Sequence, residues 1–206
     1  MAKHELSNRE NWQTQSGGLA EVAEKNLIKV FEEYFENTVY EINDHPTDLK
    51  HLYEHVQLSD SVLSQIYCPD ANTMHIAQAR GWGVSPDFSI VNKKTRKKLF
   101  GEIKRQDGWV EGKNPSAGRG NAHERFCKFF TPGLLKACRK IGKIKSKEIL
   151  PFWVVFEGDV TRDPKRVREI TFLFDKYNKN FFMWRPNETG DVLINHFNKY
   201  LKKYLD

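Results

Sequence analysis

Between Leu19 and Phe35 the apolar residues Leu19, Val22, Ala23, Leu27, Val30, Phe31, Tyr34 and Phe35 recur at helical spacing, separated by glutamates and lysines. That pattern predicts an amphipathic helix on the surface of a domain. Shorter helical patterns run from Leu49 to Tyr53 and from Ser59 to Ile66, the second opened by Ser59 as an N-cap. The stretch from Cys68 to Gly81 carries no readable period. Beyond Trp82-Gly83-Val84 the texture changes to Phe88-Ser89-Ile90-Val91, a polar run from Asn92 to Lys98, and Leu99-Phe100-Gly101-Glu102-Ile103-Lys104. Two short apolar runs around a polar turn predict a β-hairpin.

The segment Gly108 to Gly120, with Gly108, Gly112, Pro115, Gly118 and Gly120, is too irregular for either periodic element and predicts a long loop. Asn121 to Phe130 and Pro132 to Ile141 are helical in pattern, with Pro132 at the start of the second helix and Gly142 as its stop. The apolar run Ile149-Leu150-Pro151-Phe152-Trp153-Val154-Val155-Phe156 predicts a strand covered on both faces, placed at the sheet centre. Arg168 to Phe174 and Phe181 to Trp184 supply two further strand candidates. Asp191 to Leu205 predicts a closing helix that buries Leu193, Ile194, Phe197, Leu201 and Leu205. The fold class expected is α/β, a central mixed β-sheet flanked by helices.

Composition narrows the field further. The chain has 206 residues, 39% of them hydrophobic and 13% aromatic, enough to bury a core and too many for global disorder. One domain over residues 1–206 is the expectation. No apolar run approaches the roughly 18 residues that cross a bilayer, and the N-terminus is polar. A soluble, cytoplasmic protein without membrane contact is expected. Cys68, Cys127 and Cys138 are odd in number and widely spaced, which favours buried reduced thiols over a disulfide framework or a zinc site. The net charge of +6 favours a polyanionic partner, so the distribution of that charge matters.

If the hairpin is symmetric about the middle of Asn92 to Lys98, Val91 pairs with Lys98 and Ile90 with Leu99, and Asp87 falls opposite Glu102. The strand period of two then puts Lys104 on the same face. Opposed carboxylates repel, and a cation in the gap relieves that repulsion. Hard oxygen ligands point to Mg²⁺, with Asp87 and Glu102 as ligands and Lys104 as the group that neutralises charge on a phosphorane-like transition state or orients the attacking water. The bland alternative is a surface hairpin in which Glu102 and Lys104 are solvated and Asp87 caps a turn after Pro86.

Lys93, Lys94, Arg96, Lys97 and Lys98 crowd the turn. They are either a solvated loop tip or, for Lys93, Lys94, Lys97 and Lys98, contacts to a DNA backbone beside the catalytic face. The segment Ser116 to Arg125 joins glycine-bearing extended chain to a helix and can lie in a groove. There Asn pairs with adenine, Arg with guanine, and an Ala methyl with a thymine methyl. The same residues read equally as a loop capped by Asn121 with Glu124 as its capping-box partner.

Pro86-Asp87, a spacer and Glu102-Ile103-Lys104 resemble the PD-(D/E)xK nuclease signature. Gly120-Asn121-Ala122-His123-Glu124-Arg125 resembles the recognition segment of EcoRI-type restriction endonucleases. The similarity covers nearly the whole chain and is densest over Gly83 to Phe88, Phe100 to Glu124, Ile149 to Thr171 and Phe182 to Glu188. The resemblance implies a restriction-endonuclease-like core and a homodimeric, Mg²⁺-dependent type II site-specific deoxyribonuclease. It further implies cleavage of a palindrome with an AATT core, CAATTG, to 5′-phosphate ends with 5′ overhangs. Carried over, Asp87 and Glu102 are metal ligands and Lys104 the catalytic lysine. Asn121, Ala122, Glu124 and Arg125, with Gly120 in the same segment, meet the inner bases, and Arg119 reads the outer C·G pair. A cognate adenine methyltransferase is implied as genetic partner. His123 departs from the EcoRI pattern, which has an aliphatic residue there; a lone histidine is more often structural than a general base. Two other readings share these residues: a DNA-binding protein that does not cleave, and a structure-specific repair or junction-resolving nuclease.

Overall fold

The structure, a computed structural model, describes residues 18, 21–54, 56, 72, 81–105, 126–160 and 163–206. Residues 21–35 form helix α1, with Ala23, Leu27, Phe31 and Phe35 buried one turn apart. Its outer face carries the i,i+4 ion pairs Glu21–Lys25 and Lys29–Glu33, both exposed and so screened by solvent. The stretch predicted as a short helix at Leu49 to Tyr53 is a run of tight turns. Lys50 N donates to Thr47 O, Leu52 N to Leu49 O and Glu54 N to His51 O, and no longer-range helical ladder forms. The predicted Ser59 to Ile66 helix and the Gly108 to Gly120 loop lie outside the described residues.

Five strands make one mixed sheet in chain order: β1 (Tyr40–Asp44), β2 (Phe88–Asn92), β3 (Lys98–Arg105), β4 (Phe152–Glu157) and β5 (Phe181–Trp184). The first three are antiparallel neighbours, and β3–β4 and β4–β5 are parallel. The hairpin register is the one its symmetry predicts, Val91↔Lys98 and Ile90↔Leu99, continuing to Phe88↔Gly101. Strand β3, not β4, holds the middle place. Strand β4 is nevertheless buried on both faces from Phe152 to Phe156, as its unbroken apolar run requires.

Each face of the sheet has its own core. Phe88, Ile90, Leu99, Ile103, Trp153 and Val155 pack under α1 and the C-terminal helix. Trp153 sits at the centre, edge-on to Phe31 and Phe88. On the other face Phe100, Phe152, Val154 and Phe156 meet Leu134 and Cys138 of α2 (Pro132–Gly142) and Ile170 and Phe174 of α3 (Pro164–Phe174).

Three elements depart from expectation for identifiable reasons. Arg168 to Phe174 is the second half of α3, not a strand. Pro164 occupies the first turn, Asp163 caps the helix by accepting from Lys165 N and Arg166 N, and Ile170 and Phe174 bury one turn apart. Gly142 ends α2 from inside, the left-handed stop falling on Lys143 at φ 54°. A Cβ on Gly142 would lie 2.3 Å from Lys98 O, so glycine is there because the helix end rests on β3. Only Phe126–Phe130 of the predicted Asn121 to Phe130 helix is described, and it is a 3-10 turn. The last helix starts as α4 (Asp191–His196), passes through a π turn (Phe197–Leu201) and tightens to 3-10 (Lys202–Tyr204), burying Leu193, Phe197, Leu201 and Leu205. Ile194 is only partly buried.

Candidate active site

Asp87 stands immediately before β2, behind the buried Pro86. Its carbonyl accepts from His45 N at 3.0 Å, which extends the β1–β2 pairing and fixes the backbone. Its side chain turns across the hairpin, where Oδ2 accepts from Ile103 N at 2.8 Å and from Lys104 Nζ at 2.8 Å. One register step beyond Phe88↔Gly101 sets Asp87 against Glu102. The Glu102 side chain is 3% exposed, with Oε2 2.5 Å from Lys104 Nζ. Lys104 donates to Ile103 O as well, at 3.0 Å. Strand geometry thus brings Asp87, Glu102 and Lys104 together on one face.

The electrostatics follow from burial. Desolvation pushes the Glu102 carboxyl above its ordinary range, against the pull of Lys104. Burial also opposes the Lys104 charge, but Glu102 and Asp87 outweigh it and hold the ammonium above its usual value. Glu102 Oε1 is buried and accepts no hydrogen bond among the described residues. The ammonium of Lys128, from the Phe126–Phe130 turn, faces it at 3.4 Å as an ion pair.

Helix α1 brings a further carboxylate. Glu24, Asp44 and His45 hold ligand-type atoms within 4.8 Å of one another. Burial first, then Asp87, raises the Glu24 carboxyl. Neither Glu24 nor Lys128 is marked by the motif spacing. Glu24 looks like one more polar position of an amphipathic helix, and Lys128 stands beyond the recognised segment.

The basic turn is not beside this cluster. Lys93, Lys94, Lys97 and Lys98 lie at the other end of the hairpin, with Lys98 about 13 Å from Glu102 and about 20 Å from Lys104 along β3 at about 3.3 Å per residue. Asn92 Oδ1 accepts from Lys94 N and Thr95 N, and Arg96 takes the left-handed position at φ 61°. Lys98 Nζ bonds both oxygens of Asp48 at 2.6 Å, and Lys97 Nζ donates to Asp206 O at 2.7 Å. Lys93 and Lys94 are exposed. Arg119, Gly120, Asn121, Ala122, His123, Glu124 and Arg125 lie outside the described residues, as does Cys68. Cys138 is a buried thiol, pushed up to about 12 by desolvation, while Cys127 is only half-buried.

Three comparisons place this geometry. The family model described as type II restriction enzyme MunI matches residues 1–206. The type II restriction enzyme MunI of Mycoplasma sp is 62% identical over 208 residues, covering 100% of both chains. The crystal structure of MunI restriction endonuclease in complex with cognate DNA superimposes with a TM-score of 0.77 at 62% identity, covering 95% of this chain and 98% of that one. No helix among the described residues is long and apolar enough to cross a membrane. Matched over its full length by the family model and by a 62% identical type II restriction enzyme, the chain belongs to the MunI family of type II restriction enzymes.

Proposed function

We propose that this protein is a homodimeric, Mg²⁺-dependent endonuclease that cuts double-stranded DNA at CAATTG and leaves 5′-phosphate ends with 5′ overhangs. The observation that carries the chemistry is the convergence of Asp87 Oδ2 and Glu102 Oε2 on the Lys104 ammonium, beside a buried second oxygen of Glu102, Oε1, that accepts no hydrogen bond among the described residues. Such an orphaned acceptor beside a second carboxylate is a donor set that fits a small hard cation. Asp87 and Glu102 would hold the ion, which when bound supplies Lewis-acid neutralisation of a phosphodiester.

The protein's own groups do the rest. Asp87 Oδ2, pinned by Ile103 N, sets the position of the Lys104 ammonium. Lys104 presents a fixed positive charge toward a phosphate, where it stabilises charge that develops on the non-bridging oxygens or orients a water for in-line attack. The buried wall of β3 and β4 behind it keeps that charge poorly screened.

For recognition, the residue-by-residue resemblance supports Asn121, Ala122, Glu124 and Arg125 on the inner AATT bases, Gly120 allowing close approach, and Arg119 on the outer C·G pair. Lys93 and Lys94 are assigned to the phosphate backbone, whereas Lys97 and Lys98 are engaged within the fold. A two-fold palindrome calls for a two-fold dimer of one-domain subunits. A cytoplasmic enzyme of this kind needs a partner methyltransferase that protects the host sites.

The decisive experiment incubates purified protein with unmethylated plasmid, with and without Mg²⁺, and sequences the ends. Discrete Mg²⁺-dependent fragments with AATT overhangs are expected. Intact CAATTG-containing DNA in the presence of folded, DNA-bound protein would refute cleavage. Fragments with other ends would refute the site. Replacing Arg119 with Lys removes the forked contact and should relax discrimination at the outer pair, read from the same end sequences.

A further inference from the structure

Glu102 has two oxygens with different partners. Oε2 is held by Lys104, a cation itself locked between two carboxylates and the Ile103 carbonyl at 21% side-chain exposure. Among the described residues Oε1 has only Lys128, at 3.4 Å and without a hydrogen bond. The base of Lys128 is fixed. Its carbonyl accepts from Thr131 N at 3.2 Å and Thr131 Oγ1 at 2.7 Å, and the next residue, Phe129, is buried against Phe152. Its tip reaches solvent: the side chain is 45% exposed and the ammonium lies 4.9 Å from the Phe129 ring centre. An anchored root with a solvent-reaching tip lets one ammonium serve two anions in turn.

We propose that Lys128 is a displaceable counter-ion that covers Glu102 Oε1 in the DNA-free enzyme and leaves it for a DNA phosphate, so that cation binding and DNA binding are linked through this side chain. A divalent cation and an ammonium repel when they share one carboxylate oxygen, so the cation binds there only once Lys128 has moved. A phosphate near the cluster draws the ammonium off and opens the oxygen. By linkage, whatever DNA does for the cation, the cation does for DNA. Lys128 is on this account a positioning residue. The inference rests on Glu102 being a cation ligand, as set out under the proposed function.

The test is calorimetric titration of Ca²⁺, a hard cation used as a non-cleaving probe, into free protein and into protein bound to a CAATTG duplex. It compares wild type, Lys128→Met, Lys128→Arg and Glu102→Gln, each checked for folding by near-ultraviolet circular dichroism. Lys128→Met should tighten Ca²⁺ binding to the free protein by roughly threefold to fivefold, the scale of one half-exposed ion pair. The tightening that DNA produces should shrink by the same factor, and the salt slope of DNA binding should fall by about one. Lys128→Arg should restore the wild-type pattern. Unchanged or weaker Ca²⁺ binding by free Lys128→Met, with Glu102→Gln losing the ion, would overturn the role of Lys128 alone. Wild-type Ca²⁺ binding by Glu102→Gln would overturn the cation site and this proposal together.

Discussion

On the proposed function Glu102 is a cation ligand whose side chain is only 3% exposed. Its carboxyl is raised by burial, so the folded protein holds the proton more tightly than the unfolded chain does. The stability associated with that bound proton is complete below the ordinary carboxylate range and drains away as pH climbs through the folded-state value. Glu102→Gln should therefore gain thermal stability relative to wild type as pH rises above 4, as followed by thermal unfolding at pH 4 and pH 7.5, while cleavage is lost. No relative gain between the two would contradict the burial argument. Asp87 makes the complementary case. Removing its charge with Asp87→Ala takes away a group that repels the scissile phosphate in the absence of metal. Metal-free DNA binding, measured by gel shift, should persist or strengthen while cleavage disappears; collapse of binding in the folded variant would count against the site. Lys104→Ala should lower kcat on the order of 10²- to 10³-fold, the usual loss when one preorganised charge at a developing oxyanion is removed.

At the scale of elements, close approach explains more than propensity. Gly101 pairs with Phe88, and a Cβ there would lie 2.1 Å from the Phe88 ring, one residue before Glu102. Gly142 lets the end of α2 rest on the Lys98 carbonyl. Gly142→Ala should cost about 1–3 kcal/mol in urea unfolding, the usual range for overpacking, because the clash is with backbone that cannot rotate away. Helix α3 depends instead on its start. Asp163→Ala removes the acceptor of two amide hydrogens and should cost about 1 kcal/mol by the same measurement. Arg168 to Phe174, expected as a strand, contains Ile170, Thr171, Phe172 and Phe174, β-branched and aromatic residues that suit one. Propensity of that kind reports a half-buried surface, and here the cap at Asp163 and the spacing of Ile170 and Phe174 put that surface on a helix.

Across the whole molecule the hairpin has two ends with different work. One end gathers the acidic pair and Lys104. The other is tied into the fold through Lys98 to Asp48, Thr95 Oγ1 to Leu205 O, and Lys97 and Asn92 to Asp206. Joint replacement of Lys93 and Lys94 by Ala should lower the slope of log K against log salt by about two, at roughly 0.9 per lost phosphate contact. Lys98→Ala should leave that slope in place and register in the unfolding free energy. A drop of about one in the slope for Lys98→Ala would return that lysine to the DNA surface.

The chain by itself determined whatever depends on local period and turn symmetry: α1, the hairpin with its register, the buried run of β4, the closing helix, and through the register the meeting of Asp87, Glu102 and Lys104. These were legible because the strand period of two and the helical period act over a few residues, and a symmetric turn fixes the pairing. The tertiary structure alone decided what depends on distant neighbours. It put β3 rather than β4 in the middle, turned Arg168 to Phe174 into helix, set glycine at 142 against a strand, and tied Lys97 and Lys98 into the fold. It also brought Lys128 and Glu24 to the acidic cluster, since burial and ion pairing between segments far apart in sequence leave no periodic trace in either one.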